Sequence, residues 1–373
     1  MCGKIGAQRE ESPAIHSLKA RATWLYFREC DRISGMLMVI FGAGASYDSY
    51  SSAPPPAGVV DYEERPPLAN QLFSSRGNFR NIAAKYPKCL PLIAQLEPRS
   101  NGKHSVEEFL EEYQAQADAE GRSQLYAIRY YLQEVIRFCE IQWIATTRGV
   151  SNYSSLFNQA RRLGDICFVT FNYDVLLEQS LAQFDVTFPT LESYVNEKNC
   201  KLIKPHGSTD WTFWFPKRST KMLEDNPTPQ ELIRAAPVIG SAALLRKMSV
   251  IPGEATHEIF FQVPALAIPV VSKSEFVCPN LHLDALRELL PHVTHIAAIG
   301  WRAGEKHFLA MLSEYLQKSV AVTAVCGNQN ESSEILERIR AAGVFGSFES
   351  LPDTFTDFVR RNGIESFLAG SSV

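Results

Sequence analysis

One strand-to-loop junction constrains the fold of this chain more than any other feature of its sequence. Residues Met36 to Phe41 form an unbroken apolar run, and the run ends at once in Gly42-Ala43-Gly44-Ala45-Ser46. A strand without polar positions must be buried on both faces, which is typical of a parallel sheet covered by helices. Glycines directly after such a strand let the backbone approach another group closely. The junction therefore predicts the first strand of an α/β domain.

Strands and helices alternate along the rest of the chain. A second apolar run, residues 166–171, precedes Asn172-Tyr173-Asp174, and Leu202-Ile203 leads into Lys204-Pro205-His206-Gly207-Ser208. The C-terminal third predicts a helix at 283–290, a strand at 293–299, a helix at 304–317, a strand at 320–325 and a helix from Gly327-Asn328 to near Gly343. This alternation is typical of an open, doubly wound α/β sheet.

The segment between the first two strands has helical periodicity instead. Ser105-Val106-Glu107-Glu108 reads as a capping box, and apolar residues recur at helical spacing from Leu125 to Cys139. We expect residues 77–150 to be an all-α insertion in a domain formed by 36–76 and 151–373, with 1–35 as an N-terminal arm or extension. Trp211, Phe213 and Phe215 alternate like a half-buried strand, and residues 217–262 show no clear pattern.

Composition and charge exclude several classes of protein. The 373 residues are 45% hydrophobic and 21% charged, close to the average of globular proteins, which excludes global disorder. Because proteins that bind through phosphate contacts are usually basic, the net charge of −4 argues against direct nucleic acid binding. The chain contains no apolar run of about 18 residues and no secretory pattern at its start, so we expect a cytoplasmic protein without membrane contact.

The eight cysteines stand singly and form no C-x-x-C pair. This spacing argues against a zinc ribbon, and the sequence predicts no metal site. Because the cysteines are scattered and the chain shows no signal sequence, we expect them to be buried and reduced.

Three polar or glycine-rich elements follow predicted strands: the Gly42–Ser46 loop, Asn172 and His206. The carboxyl ends of parallel strands meet at one edge of a doubly wound sheet, where such folds bind ligands. Each element also has an ordinary structural explanation. The glycine loop can be a tight turn that binds nothing, His206 can be a hydrogen-bonded structural histidine, and Asp174 can offset the positive end of the next helix. We assign Trp211 and Trp301 to packing, and Phe41, Val169 and Ile299 to the core.

Four motifs together resemble the sirtuin superfamily: the Gly42–Ser46 loop, Thr170 to Asp174, Pro205 to Ser208 and Ile299 to Trp301. They match, in order, a GAG-x-S loop, an Asn-x-Asp element, a His-Gly pair and a late glycine-containing ribose loop. The second and third motifs, with Arg65-Pro66-Pro67-Leu68, are similar to the divergent sirtuin-like branch of bacterial antiphage defence. The resemblance covers roughly residues 36–330, weakly in the helical segment, and implies a Rossmann-like NAD-binding domain.

The resemblance also implies residue roles. The matching positions are Gly42, Ala43, Gly44 and Ser46 for phosphate binding, Asn172 for the nicotinamide ribose or the attacking water, Asp174 for orienting the site, His206 as the catalytic histidine, Gly300 for a ribose contact and Asn328 for the adenosine ribose. After Gly300 the family carries a serine or threonine, and here Trp301 and Arg302 follow. If Gly44 admits the pyrophosphate, a side chain there is expected to block the cofactor without unfolding the protein.

The resemblance leaves three functions open. The first is an NAD⁺ glycohydrolase that consumes NAD⁺ as a substrate and serves as an antiviral effector. The second is an NAD-dependent protein deacylase, which the missing zinc-binding cysteine pairs disfavour. The third is a non-catalytic sensor of NAD or ADP-ribose. Because an unregulated NADase would be toxic, we expect activation by homo-oligomerisation or by a separate defence protein, such as an ATPase, an Argonaute-like protein or a nucleotide sensor.

Overall fold

The computed structural model describes residues 35–50, 65–101, 106–216, 227–239, 247–250, 260–269 and 276–370. The predicted N-terminal arm, except for Gly35, lies outside the described residues, as do Ser105 of the predicted capping box and most of the segment 217–262.

Nine strands are described: β1 Met36–Phe41, β2 Asp165–Thr170, β3 Lys201–Ile203, β4 Gly207–Pro216, β5 Lys247–Val250, β6 Phe260–Leu266, β7 Val293–Ile299, β8 Val320–Val325 and β9 Gly346–Leu351. The described α-helices are α1 Ala43–Tyr47, α2 Phe79–Ala84, α3 Leu90–Leu96, α4 Val106–Gln116, α5 Ala119–Thr147, α6 Asn152–Ala160, α7 Leu176–Ala182, α8 Ser193–Asn196, α9 Pro229–Ile239, α10 Asn280–Leu289, α11 Lys306–Tyr315, α12 Gln329–Ala341, α13 Phe355–Arg360 and α14 Gly363–Gly370. Short 3₁₀ helices cover Ala69–Gln71, Pro87–Cys89, Glu97–Asn101 and Leu290–His292.

Six strands form one parallel sheet in the order β3-β2-β1-β7-β8-β9. Counted within the sheet, this is the 3-2-1-4-5-6 order of a Rossmann fold. Every residue of β1 and β8 is buried, so flanking helices cover both faces of the sheet, as the apolar runs predict. The predicted doubly wound α/β sheet is confirmed. Its strand order reverses between β1 and β7, and the loops after these two strands open at the same edge.

Three further strands form a separate antiparallel sheet in the order β5-β4-β6. Helix α5 packs against β4, β6 and α9, so the helical segment and this small sheet form one packed layer. The sequence predicted a helical insertion at 77–150, and its described part is helical. The packed layer also contains α9, β4 and β6, which lie outside residues 77–150.

Strand β4 corrects one expectation. The alternation of Trp211, Phe213 and Phe215 predicted a half-buried strand, but Trp211, Thr212, Phe213 and Trp214 are all buried. The reason is that β4 lies between two partner strands and under α5. On one face Trp211 packs edge-on against the rings of Tyr194 and His282.

Among the described helices, none combines the length and the apolar composition needed to cross a membrane.

Candidate active site

A cavity of about 720 Å³ opens at the edge of the sheet where the strand order reverses. Its wall includes the loops that follow β1, β2 and β7, together with His206 after β3. The predicted site residues that line it are Gly42, Ala43, Gly44, Ser46, Asn172, Asp174, His206 and Gly300. The fold thus brings together eight of the nine residues that the sequence singled out. Arg65, Pro66, Pro67 and Leu68, noted for the family resemblance, line the same cavity.

Asn328 is the predicted residue that does not line the cavity, although Cys326 and Gly327 do. It is the N-cap of α12, and its side-chain oxygen accepts hydrogen bonds from the backbone N–H groups of Asn330 and Glu331. This capping role occupies the side chain. A contact of Asn328 with an adenosine ribose stays a prediction.

The loops after β1 and β7 cross in close backbone contact. Gly42 donates its N–H to the carbonyl of Ile299 at 3.2 Å, and Gly44 donates to the carbonyl of Gly300 at 3.1 Å. These two backbone donors are therefore engaged inside the protein and are not available to a phosphate. A Cβ on Gly44 would lie 2.9 Å from the Cα of Gly300, a backbone atom that cannot rotate away. The expectation that a side chain at Gly44 leaves the fold intact is wrong for this reason.

Gly300→Ala is expected to lower the free energy of unfolding by about 2–5 kcal/mol, from left-handed strain and overpacking together. Gly300 has a φ of +58°, and a Cβ there would lie 2.3 Å from the backbone nitrogen of Ala45. Urea denaturation measures the loss. Gly304→Ala is the matched control, because Gly304 lines the same cavity and an added Cβ would meet no atom within 4 Å. Equal stability of the two variants would contradict the packing role of the glycine crossing.

Asn172 is buried, and its orientation is set by its neighbours. Its Nδ2 donates to the carbonyl of Gly42 and to Oγ of Ser46, both at 2.9 Å, and lies 3.3 Å from the hydroxyl of Tyr153. Because a carbonyl can only accept, the amide nitrogen must face Gly42. The side-chain oxygen of Asn172 therefore points to the other side, and among the described residues it accepts no hydrogen bond. An acceptor is thus available at the cavity wall.

His206 is buried directly before β4, and the centroid of its ring lies 4.8 Å from the centroid of the Phe171 ring. Its Nδ1 lies 3.2 Å from the carbonyl oxygen of Phe171. The carbonyl accepts, so Nδ1 carries the proton, and in the neutral ring Nε2 holds the lone pair. This tautomer makes Nε2 the proton-accepting atom. The hydrogen bond predicted for a structural histidine is present, and it also prepares the ring to act as a base.

Glu305 is a cavity residue that the sequence analysis missed. It precedes α11, and its Oε1 lies 3.9 Å from Nε2 of His206. Its other oxygen, Oε2, accepts a hydrogen bond of 2.6 Å from the indole N–H of Trp301. Trp301 is buried and stacks on Phe171 with an interplanar angle of 10°, which confirms its predicted packing role. The position of Glu305 five residues after Gly300, in the loop after β7, was the signal available in the sequence.

Tyr173 lines the cavity, and its hydroxyl oxygen is shielded from solvent. This oxygen is buried and has no hydrogen-bond partner among the described residues. Burial raises the pKa of Tyr173, and the nearby carboxylates of Glu107 and Glu305 raise it further. The phenol therefore stays protonated and is a donor. A buried donor without a partner in a cavity wall is a candidate ligand contact.

A buried cluster of charged residues contacts the chain segment that follows Asn172. Lys204 is fully buried, and its Nζ donates to the carboxylate of Glu178 and to the carbonyl of Asp174, each at 2.6 Å. Glu140, on α5, accepts from the N–H of Val175 and the hydroxyl of Thr209. The cluster holds the Asn-x-Asp loop against the helical layer through the backbone of Asp174 and Val175.

Burial sets the charges of this cluster. Burial raises the pKa of Glu178 to about 7, and the positive charge of Lys204 limits the rise. Burial and the neighbouring Asp174 raise the pKa of Glu140 to about 8. Burial alone would lower the pKa of Lys204, but the carboxyl groups of Glu178, Asp210 and Asp174 outweigh it and raise the pKa. Lys204 therefore stays charged near neutral pH, where Glu178 is partly ionised.

In the described ranges, no group of three or more histidine, cysteine, aspartate or glutamate side chains is arranged to hold a metal ion.

No protein-family model matches the chain, and no curated protein matches it. Solved structures of Sir2 homologues are similar. A Sir2 homologue–NAD complex is 10% identical, covers 93% of this chain and 94% of its own, and has a TM-score of 0.37. Sir2Tm bound to a propionylated peptide is 12% identical, with coverages of 93% and 98% and a TM-score of 0.37. An ADP-ribose complex of a Sir2 homologue mutant is 10% identical, with coverages of 93% and 96% and a TM-score of 0.40. Identity is low in all three, so the assignment of the site depends on the residues of this chain.

Proposed function

We propose that the chain is an NAD⁺ glycohydrolase, which cleaves NAD⁺ to nicotinamide and ADP-ribose. The observation that carries the proposal is the meeting of Asn172 and His206 in one cavity at the point where the strand order reverses. Rossmann sheets bind dinucleotides across this crevice. The four motifs that resemble sirtuins identify NAD⁺ as the candidate dinucleotide.

Cleavage of the bond between nicotinamide and ribose requires few protein groups. When the bond between the nicotinamide nitrogen and the ribose breaks, positive charge develops on the ribose, as in other glycosyl transfers. The electron pair of that bond neutralises the pyridinium, so the leaving group needs no proton. The acceptor oxygen of Asn172 can hold a ribose hydroxyl or a water. His206 can remove a proton from the attacking oxygen through Nε2. Both are buried, which strengthens their interactions with the developing charge.

We also propose that the activity serves antiviral defence and is gated. The defence role depends on the resemblance of the second and third motifs. Gating follows from the toxicity of unregulated NAD⁺ loss, with homo-oligomerisation or a separate defence protein as the activating event. A deacylase remains the alternative if an acyl-lysine peptide is required, and a sensor remains the alternative if NAD⁺ or ADP-ribose binds without cleavage.

One product assay separates these functions. Purified protein is incubated with NAD⁺, alone, with proteins encoded beside it and with an acylated peptide, and the products are quantified by chromatography. Nicotinamide and ADP-ribose in equal amounts without peptide support the glycohydrolase. Formation of O-acyl-ADP-ribose only with peptide would support the deacylase, and binding without products would support the sensor.

Tyr173→Phe is expected to raise the KM for NAD⁺ roughly tenfold without lowering stability. The variant removes a buried hydroxyl that has no partner in the described part of the protein, so the fold loses no hydrogen bond. The substrate, in contrast, loses a donor. Steady-state kinetics and thermal unfolding measure the two effects. Tyr130→Phe is the control, because the Tyr130 hydroxyl is also buried without a described partner but does not line the cavity. An unchanged KM in Tyr173→Phe would exclude the contact.

A further inference from the structure

Two acceptor atoms of cavity residues, Nε2 of His206 and Oε1 of Glu305, lie 3.9 Å apart. Nε2 holds a lone pair because Nδ1 donates to Phe171. Oε1 faces His206 because the indole N–H of Trp301 holds the other carboxylate oxygen at 2.6 Å. Both atoms therefore have a fixed orientation, and neither can donate in the neutral-ring state of His206.

This separation fits one molecule with two O–H groups. A water that donates two straight hydrogen bonds of ordinary length places its acceptors about 4–4.5 Å apart, and slight bending of these bonds within the normal angular range brings the acceptors to the observed 3.9 Å. An alcohol or a ribose hydroxyl has a single O–H and can satisfy only one acceptor. A water held by both acceptors directs its own lone pairs away from them, toward the remaining space of the cavity.

We propose that Glu305 is a catalytic residue that, with His206, binds the attacking water and thereby commits the site to hydrolysis. The inference rests on the proposed glycohydrolase function and specifies its nucleophile. The water oxygen bonds to the anomeric carbon of the ribose while the carbon–nitrogen bond breaks, and that electron pair leaves with neutral nicotinamide. One water proton passes to Nε2 of His206 and then to solvent. The other stays on the new hydroxyl of ADP-ribose, so atoms and charge balance.

Competition between water and methanol tests this selection. Glu305→Ala removes the second acceptor, so water loses its advantage over methanol. We expect hydrolysis to fall by roughly 10²-fold, and the ratio of methyl ADP-riboside to ADP-ribose to rise at least about tenfold. In Glu305→Gln the Trp301 N–H retains the amide oxygen, so the amide NH₂ faces His206 and presents a donor in place of the acceptor. The same rise in the ratio is expected.

The ratio separates a chemical role from a structural one, because a distorted site would lower both products together. Glu314→Gln, at an exposed position of α11 outside the cavity, is the control and should keep the wild-type rate and ratio. If wild type cleaves NAD⁺ and both Glu305 variants keep its product ratio, this inference is wrong while the proposed function stands. If activated wild type cleaves no NAD⁺, the proposed function fails and the inference falls with it.

Discussion

Replacing Asn172 or His206 by alanine is expected to lower kcat for NAD⁺ cleavage by roughly 10²-fold or more, with little change in NAD⁺ affinity. Both residues act on the reacting atoms, so their interactions strengthen in the transition state rather than in the bound ground state. Because both residues serve one reaction centre, we expect kcat of the double variant to be only slightly lower than kcat of the less active single variant. The measurement is steady-state kinetics of the activated enzyme, with affinity determined separately by calorimetry.

A structural loss must be distinguished from a chemical one in these variants. Asn172 also holds Gly42 and Ser46, so its loss is expected to lower the melting temperature as well. His292→Ala, an exposed histidine before β7 at the opposite end of the sheet, is the control for histidine loss. Full NAD⁺ cleavage by both Asn172→Ala and His206→Ala would show that the proposed site is wrong.

Lys204→Met is expected to lower the free energy of unfolding by about 3–5 kcal/mol at pH 8.5, the typical cost of removing one partner of a buried ion pair. Methionine fills a similar volume but leaves the carboxylate of Glu178 buried without this cation. Urea denaturation measures the effect. Lys201→Met, at the start of β3 and three residues before Lys204, is the control, because Lys201 is only partly buried and its Nζ donates to a backbone carbonyl. An equal loss in both variants would contradict a special role of Lys204.

The loss of unfolding free energy in Lys204→Met should depend on pH, and the direction of this dependence follows from the pKa values of the carboxyl groups. Glu178 and Glu140 have folded-state pKa values near 7 and 8, above the value of about 4.3 expected in the unfolded chain. Such groups contribute stability that is present below the unfolded pKa and is lost as pH rises through the folded pKa. Lys204 lowers the pKa of Glu178, so its removal raises that pKa further. The variant should be much closer to wild type at pH 5 than at pH 8.5, and a loss independent of pH would contradict this account.

The sequence predicted the parallel sheet well because its strands are local signals. The strands at 293–299 and 320–325 have the predicted bounds, since each is a largely apolar segment that follows a polar residue. The second strand begins and ends one residue earlier than predicted, and the helix predicted at 283–290 spans Asn280–Leu289. Helix ends are set by capping and tertiary contacts, which local periodicity does not contain.

The sequence could predict only those site residues that directly follow the strands of the parallel sheet. Asn172, His206 and the glycine loop follow strands, and the carboxyl edge of a parallel sheet brings such residues together. The side chains of Glu305 and Lys204 contact distant segments of the chain, and a lone charged residue in the sequence does not reveal its partners, although the position of Glu305 after β7 places it at the same edge of the sheet. The β5-β4-β6 sheet was missed although the alternation in β4 predicted a strand, because β4 pairs across long separations with β5 and β6, for which the sequence predicted no strand.

The central claim is that NAD⁺ lies across the crossing of the Gly42–Gly44 and Gly300 loops with its glycosidic bond between Asn172 and His206. A crystal structure of the His206→Ala variant with NAD⁺ tests it most directly, because the variant should bind the substrate and cleave it slowly. The account predicts the pyrophosphate at the glycine crossing, and the nicotinamide ribose within hydrogen-bond distance of the side-chain oxygen of Asn172. NAD⁺ bound elsewhere, or in this cavity with the nicotinamide at the Cys326–Gly327 end, would contradict it.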